Sequence, residues 1–214
     1  FANCTIVSNA APGTFGLLGN KGYGGGLYCG YYSDSTIVDS ILWNNYAISG
    51  PEIYVGTGFE YDWPWPAKLT VLHCDIMHGR SEVQVDYRCR LIWGDGNILS
   101  DPEFVGGPLG RYYLSQLQAG QSVQSPCVDA GSDLASNVGM NTYTTRTDEL
   151  FDKGIVDIGY HYQLSEKAEP CKLCDLLYDG FIDFRDFAAL ALRWLNQDCS
   201  QTNAWCAGSD FTFD

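Results

Sequence analysis

Asn3-Cys-Thr-Ile-Val-Ser-Asn9 returns in altered form as Asp39-Ser-Ile-Leu-Trp-Asn-Asn45 and again as His73-Cys-Asp-Ile-Met-His-Gly79, with starts 36 and 34 residues apart. Between these copies lie further short apolar runs, Gly26-Leu-Tyr-Cys29, Glu52-Ile-Tyr-Val55 and Val83-Gln-Val85, bounded by Gly, Asn, Asp and Pro and lacking a helical period. A recurring block of this size, holding several short strands, predicts a solenoid over Phe1 to about Val105. Cys4, Ser40 and Cys74 then stack at equivalent corners, and Ile6, Leu42 and Ile76 form part of an inward ladder. Three coils rising about 4.8 Å each make a column about 14 Å tall.

Composition narrows the functions open to such a chain. The 214 residues carry 12 Lys plus Arg against 26 Asp plus Glu, a formal charge of −14, which argues against nucleic acid or anionic lipid as a partner. Hydrophobic residues make up 45% and aromatics 14%, ample for a core and unlike a disordered chain. No apolar run approaches the roughly 20 residues that span a bilayer. The N-terminus lacks the basic start and apolar centre of a signal peptide, so the chain is read as processed or cut from something longer.

Nine cysteines, few charges and many aromatics favour an exported, extracellular or cell-surface protein. Cys171-Lys-Leu-Cys174 is not a haem attachment site, because Asp175 stands where His is needed, and a redox site lacks its βαβ setting. A zinc site drawing in Cys199 and Cys206 has a loose second spacing. Structural disulfides among Cys171, Cys174, Cys199 and Cys206 are the plainer reading, with no connectivity assigned.

The coil segments, together with Asp101-Pro-Glu-Phe-Val105, Tyr112-Tyr-Leu-Ser115, Ser125-Pro-Cys-Val-Asp-Ala-Gly131 and Val156-Asp-Ile-Gly-Tyr160, resemble the right-handed parallel β-helix repeat proteins secreted by Planctomycetes-like bacteria. The resemblance covers about residues 1–162. It implies an all-β fold of about three coils with an irregular closing segment. It implies no activity, because β-helices carry lyases, hydrolases, adhesins and inert spacers alike.

Residues 163–170 form a polar linker ending in Pro170. Behind it, Cys174-Asp-Leu-Leu-Tyr-Asp-Gly-Phe-Ile-Asp-Phe-Arg-Asp186 precedes an Ala/Leu-rich run with helical spacing, Phe187 to Leu195. With Gly180 as the turn glycine of an EF-hand-type loop, Asp175, Asp179, Asp183 and Asp186 become carboxylate ligands and Phe181 offers its carbonyl. Four carboxylates converging on one point need a cation, and Ca²⁺ is the expected one. Leu177 occupies a ligand position it cannot fill, and Asp186 is shorter than the usual Glu. The plain alternative is a solvated acidic turn before a helix.

The loop and helix resemble the first half of a dockerin, so residues 171–214 read as a small α-helical, EF-hand-like module. Asp210, Thr212 and Asp214 match the opening of a second loop 35 residues on. The resemblance implies a cohesin-like partner. The first coil also opens without a cap, which predicts a neighbour, either more of the chain or a second copy stacked end to end.

Other candidates are weighed against plainer roles. Tyr61-Asp-Trp-Pro-Trp-Pro66 holds Trp63 and Trp65 on a Pro-stiffened loop: a platform for sugar rings or a protein partner, or a loop folded back on the solenoid. Asp75, Asp86 and Asp95 with Arg80, Arg88 or Arg90 would suit an acidic-sugar lyase, but solvated turn charges are the better reading. His73, His78 and His161 are read as structural, as are ion pairs of Arg146 with Asp148, Asp152 and Asp157. Asn3-Cys-Thr5 fits a glycosylation sequon but is read as an asparagine ladder position. No catalytic constellation is recognisable. The expected function is therefore a non-catalytic extracellular structural protein that assembles through its coil ends and calcium-ordered tail. The alternative is a polysaccharide lyase or hydrolase, or a sugar-binding module, tethered by that tail.

Overall fold

The computed structural model describes residues 1–13, 22–56 and 66–164, together with Ala188. The chain divides into two compact units, Phe1–Gln163 and Leu164–Asp214. Among the described residues, the first unit is all-β apart from two short 3-10 turns, Gly79–Glu82 and Leu117–Ala119.

Its strands arrive in successive sets. The first set is β1 (Thr5–Val7), β2 (Ala10–Ala11), β3 (Leu27–Cys29) and β4 (Asp34–Val38), and the second is β5 (Ile41–Trp43), β6 (Tyr46–Ala47), β7 (Ile53–Val55) and β8 (Lys68–Leu72). The third is β9 (Asp75–Ile76), β10 (Val83–Val85) and β11 (Arg90–Trp93). Each strand pairs in parallel with its counterpart in the next set, giving three-stranded sheets β1-β5-β9, β3-β7-β10 and β4-β8-β11, with β2 beside β6.

This register stacks like on like. Ile6 lies beside Leu42 and Leu42 beside Ile76; Leu27, Ile53 and Val83 form a second column, and Ile37, Val71 and Trp93 a third. One core draws on all three sheets: Leu42 and Ile76 from the first, Ile53, Val55 and Val83 from the second, Ile37, Leu69 and Val71 from the third. Burying each such side chain contributes roughly 1.5–3 kcal/mol.

The corners between sheets need left-handed backbone, which Asn, Asp, His and Gly adopt most readily. Asn3, Asp39, His73 and Gly96 all have positive φ, each one residue ahead of Cys4, Ser40, Cys74 and Asn97. Those four residues close the corners in a shared way. Ser40 Oγ accepts the Cys4 amide at 3.1 Å, and Asn97 Oδ1 accepts the Cys74 amide at 2.9 Å. Cys4, Ser40 and Cys74 each turn their own Sγ or Oγ back to the carbonyl two residues earlier. A second left-handed ladder runs through Ser8, Asn44 and His78.

The asparagine ladder falls elsewhere than the sequon. Asn45 Oδ1 accepts the Asn9 backbone amide at 2.9 Å and the Asn9 side-chain amide at 3.0 Å, while Asn45 Nδ2 reaches the Ile6 carbonyl. Asn3 is instead buried, with its Nδ2 lacking a hydrogen-bond partner.

Beyond Trp93 the chain stops adding full sets. An isolated bridge pairs Ile98 with Asp75, and the rest forms two antiparallel pairs, β12 (Phe104–Gly107) with β13 (Gly110–Leu114), and β14 (Tyr143–Thr144) with β15 (Tyr162–Gln163). This closing segment lies over the second face of sheet β1-β5-β9, where Ile41, Leu114, Cys127 and Ile158 make a second core with Trp43 and Phe104. The first sheet is thus buried on both faces. Adjacent residues Ile41 and Leu42 serve different cores because strand side chains alternate.

Candidate functional site

The acidic loop residues Asp175, Asp179, Phe181, Asp183, Asp186, Asp210, Thr212 and Asp214 lie outside the described residues, as do Tyr61, Trp63 and Trp65 and the cysteines Cys171, Cys174, Cys199 and Cys206. The other five cysteines, Cys4, Cys29, Cys74, Cys89 and Cys127, are free thiols. The connection carrying the two tryptophans leaves β7 and enters β8. The equivalent connections of the neighbouring sets carry Tyr31 with Tyr32 and Tyr87 with Arg88.

The lyase-type charges do not gather on one surface. Asp75 is fully buried, contrary to its reading as a solvated turn charge. Its position in β9 puts it in the column of Thr5 and Ile41, the face that the closing segment covers. Desolvation by that cover raises its pKa to about 7. Asp86 instead accepts a hydrogen bond from the Tyr54 hydroxyl at 2.7 Å on the outer face of another sheet. Arg80 donates to the Val83 carbonyl at 2.8 Å, and the Arg88 guanidinium sits 5.3 Å from the Tyr87 ring centre.

Tyr54 centres an aromatic group. Its ring lies 4.5 Å from Tyr23 and stacks on Tyr28 at 5.5 Å with an interplanar angle of 8°. The register itself produces the stack, since Tyr28 and Tyr54 are direct neighbours across β3 and β7. Tyr28, Tyr31 and Tyr32 keep 39%, 48% and 64% of their surface exposed.

A polar network in the closing segment escaped sequence reading. Asp157 Oδ1 accepts the Asp129 amide at 2.7 Å, while its Oδ2 accepts Gln116 Nε2 and the Thr145 hydroxyl. Asp152 Oδ2 accepts the Asp157 amide at 2.9 Å and meets His161 Nε2 at 2.9 Å. His161 Nδ1 contacts the Gly159 carbonyl; a carbonyl only accepts, so Nδ1 carries a proton. Burial, and then the Asp152 charge, lift the Asp157 pKa to about 6. Of the expected Arg146 ion pairs, that with Asp148 forms at 2.6 Å. Asp152 pairs with His161 instead, and Asp157 is held by hydroxyl and amide donors. The available signal was the aspartate in each of Ser125–Gly131 and Val156–Tyr160, which meet here.

The edges of the sheets are the remaining feature. The Ile41 amide donates to the Cys4 carbonyl at 2.8 Å and the Ser8 amide to the Trp43 carbonyl at 3.1 Å. Alternate residues of a parallel strand point to the same neighbour, so Cys4, Ile6 and Ser8 face β5, and Thr5 and Val7 face away from it. Leu27 and Cys29 likewise bond toward β7, which turns Tyr28 outward along the ladder. No described strand pairs with that side of β1 or β3. No family model, curated protein or solved structure matches the chain.

Proposed function

We propose that the first unit is a right-handed parallel β-helix and that the protein is a non-catalytic extracellular structural protein, assembling through the open edge of its first coil. The one-sided pairing of β1 and β3 carries this reading. Unpaired strand groups template another strand, and the same columns that stack one set on the next fit a second copy end to end. Right-handedness follows the strong bias of parallel crossover connections. The acidic loop from Asp175 to Asp186 would bind Ca²⁺ and order a dockerin-like tail, adding a second point of attachment for a cohesin-like protein. Asp75 lies sealed beneath the closing segment, so a lyase centre built on it has no access to a polymer.

Sedimentation velocity across a concentration series, from micromolar to near-millimolar, tests assembly. The weight-average sedimentation coefficient should rise with concentration. Val7→Pro removes an edge amide while leaving the bonds to β5, so it should stay monomeric with an unchanged circular dichroism spectrum. A parent that remains monomeric throughout overturns the proposal.

The tyrosine group favours a second reading, glycan binding without turnover. The exposed rings of Tyr28, Tyr31 and Tyr32 suit stacking on sugar faces, and the loop with Trp63 and Trp65 follows the strand that carries Tyr54. Retention on neutral polysaccharide gels, lost in Tyr28→Ala, would favour it. Retention unchanged in that variant and in Trp63→Ala with Trp65→Ala would count against it.

A further inference from the structure

A pocket of about 290 Å³ opens within the closing segment, and assembly through the coil edge gives it no role. Three of its lining residues are aspartates, set among glutamines, two cations and apolar side chains. Asp152 and Asp157 are buried to 5% and 3% exposure, and Asp129 is exposed beside them. Asp157 commits both oxygens to internal donors. Asp152 commits only Oδ2. Its Oδ1 has no hydrogen-bond partner among the described residues, yet it is not among the atoms sealed away from solvent. A carboxylate oxygen on a side chain more than nine-tenths buried is therefore left to whatever fills the pocket.

The countercharges in the lining do not answer it. Arg146 is held by both oxygens of Asp148, at 2.9 and 2.6 Å, and by Gln118. Lys153 is exposed and makes no ion pair among the described residues. Burial first, and then the Asp152 charge, hold both Asp129 and Asp157 above the usual carboxylate range, while His161 acts the other way on Asp157. The rest of the wall mixes Gln116 and Gln124 with an apolar stretch, where Leu150 and Phe151 are exposed at 57% and 43%. Calcium asks for six to eight oxygens, more than Asp152 Oδ1 and the Asp129 carboxylate supply.

We propose that this pocket binds a primary alkylammonium group, with the ammonium on Asp152 Oδ1 and the Asp129 carboxylate and the alkyl stem against Leu150 and Phe151. An ammonium donates three hydrogen bonds, enough for both carboxylates at once, and a short aliphatic stem gains from leaving water.

Titration of the full chain with n-butylammonium chloride and with n-butanol, followed by calorimetry and by the amide NMR shifts of Leu150 to Lys153, tests this. Butylammonium should saturate and shift those amides, and butanol should not. Asp129→Asn should weaken binding about tenfold, the loss expected of one charge-assisted hydrogen bond. Asp152→Asn should do the same or more, and Lys153→Gln should tighten binding. Asp129 is exposed, so its variant keeps the test decisive if Asp152→Asn fails to fold. Equal binding of butanol, unchanged affinity in Asp129→Asn, or displacement of the amine from these amides by CaCl2 would each overturn the assignment, the last in favour of a metal site.

Discussion

The Cys127 thiol donates a hydrogen bond to Oδ2 of Asp75 at 3.1 Å, joining residues 52 positions apart in a space closed to water. Asp75 Oδ1 has no hydrogen-bond partner there. The carboxyl sits between the first sheet and the segment that covers it, so its charge state bears on how firmly the two hold together.

That arrangement makes stability depend on pH. An unfolded aspartate titrates near about 3.9, whereas folded Asp75 holds its proton to about 7. Between these values the folded state binds more protons, so its stability falls as pH rises, by up to about 1.4 kcal/mol per unit. Asp157, lifted to about 6, acts in the same direction. Thermal melts at pH 4 to 8 should show Asp75→Asn flattening the decline, with the variant gaining on the parent toward pH 8. An identical pH slope in both proteins would refute the account of Asp75 as a carboxyl whose burial raises its pKa.

Ile41 and Leu42 are both fully buried but in separate cores. Leu42→Ala should destabilise the unit by about 2–5 kcal/mol. Ile41→Ala should cost a similar amount and also loosen the closing segment, seen as faster proteolysis within residues 99–163. Equal protease patterns in the two variants would contradict the two-core description.

Asp39 fastens the same segment. Its Oδ1 and Oδ2 accept the Ser132 amide and hydroxyl, both at 2.7 Å, and its carbonyl accepts the Gly159 amide. Asp39→Ala leaves the Ser132 donors without that acceptor and should cost about 1–3 kcal/mol. Hydrogen exchange should rise around Ser132 while β7 and β8 stay protected. Uniform acceleration everywhere would mean that Asp39 serves the parallel sheets themselves.

Calcium binding by the acidic tail is tested by calorimetry. One or more calcium ions should bind the parent, and Asp175→Asn with Asp183→Asn should abolish binding at the first loop. Heats unchanged in the double variant would leave a solvated acidic turn as the better reading.

Residue spacing made the strand register legible. The offsets of 36 and 34 placed Ile6, Leu42 and Ile76 in one column and Cys4, Ser40 and Cys74 at one corner, because stacking repeats the same local demand at each level. The closing segment lacks such repetition. Its contacts, such as Ser132 with Asp39 across 93 positions, arise from irregular turns that leave no period in the chain. For that reason Asp75 read as a surface charge, Asp152 and Asp157 read as ion-pair partners of Arg146, and His161 read only as structural. The pocket was equally hidden, since its lining is scattered between Gln116 and Asp157 with no regular spacing.

Amide hydrogen exchange at Thr5, Val7 and Tyr28, followed from dilute to concentrated protein, reports directly on the side of β1 and β3 that no described strand pairs with. Edge-to-edge assembly predicts slow exchange at these three sites in concentrated samples and fast exchange on dilution, with the Ile41 and Tyr54 amides protected throughout. Exchange that stays fast at every concentration, in a protein that sediments as a monomer or is joined elsewhere, would contradict assembly through the first coil.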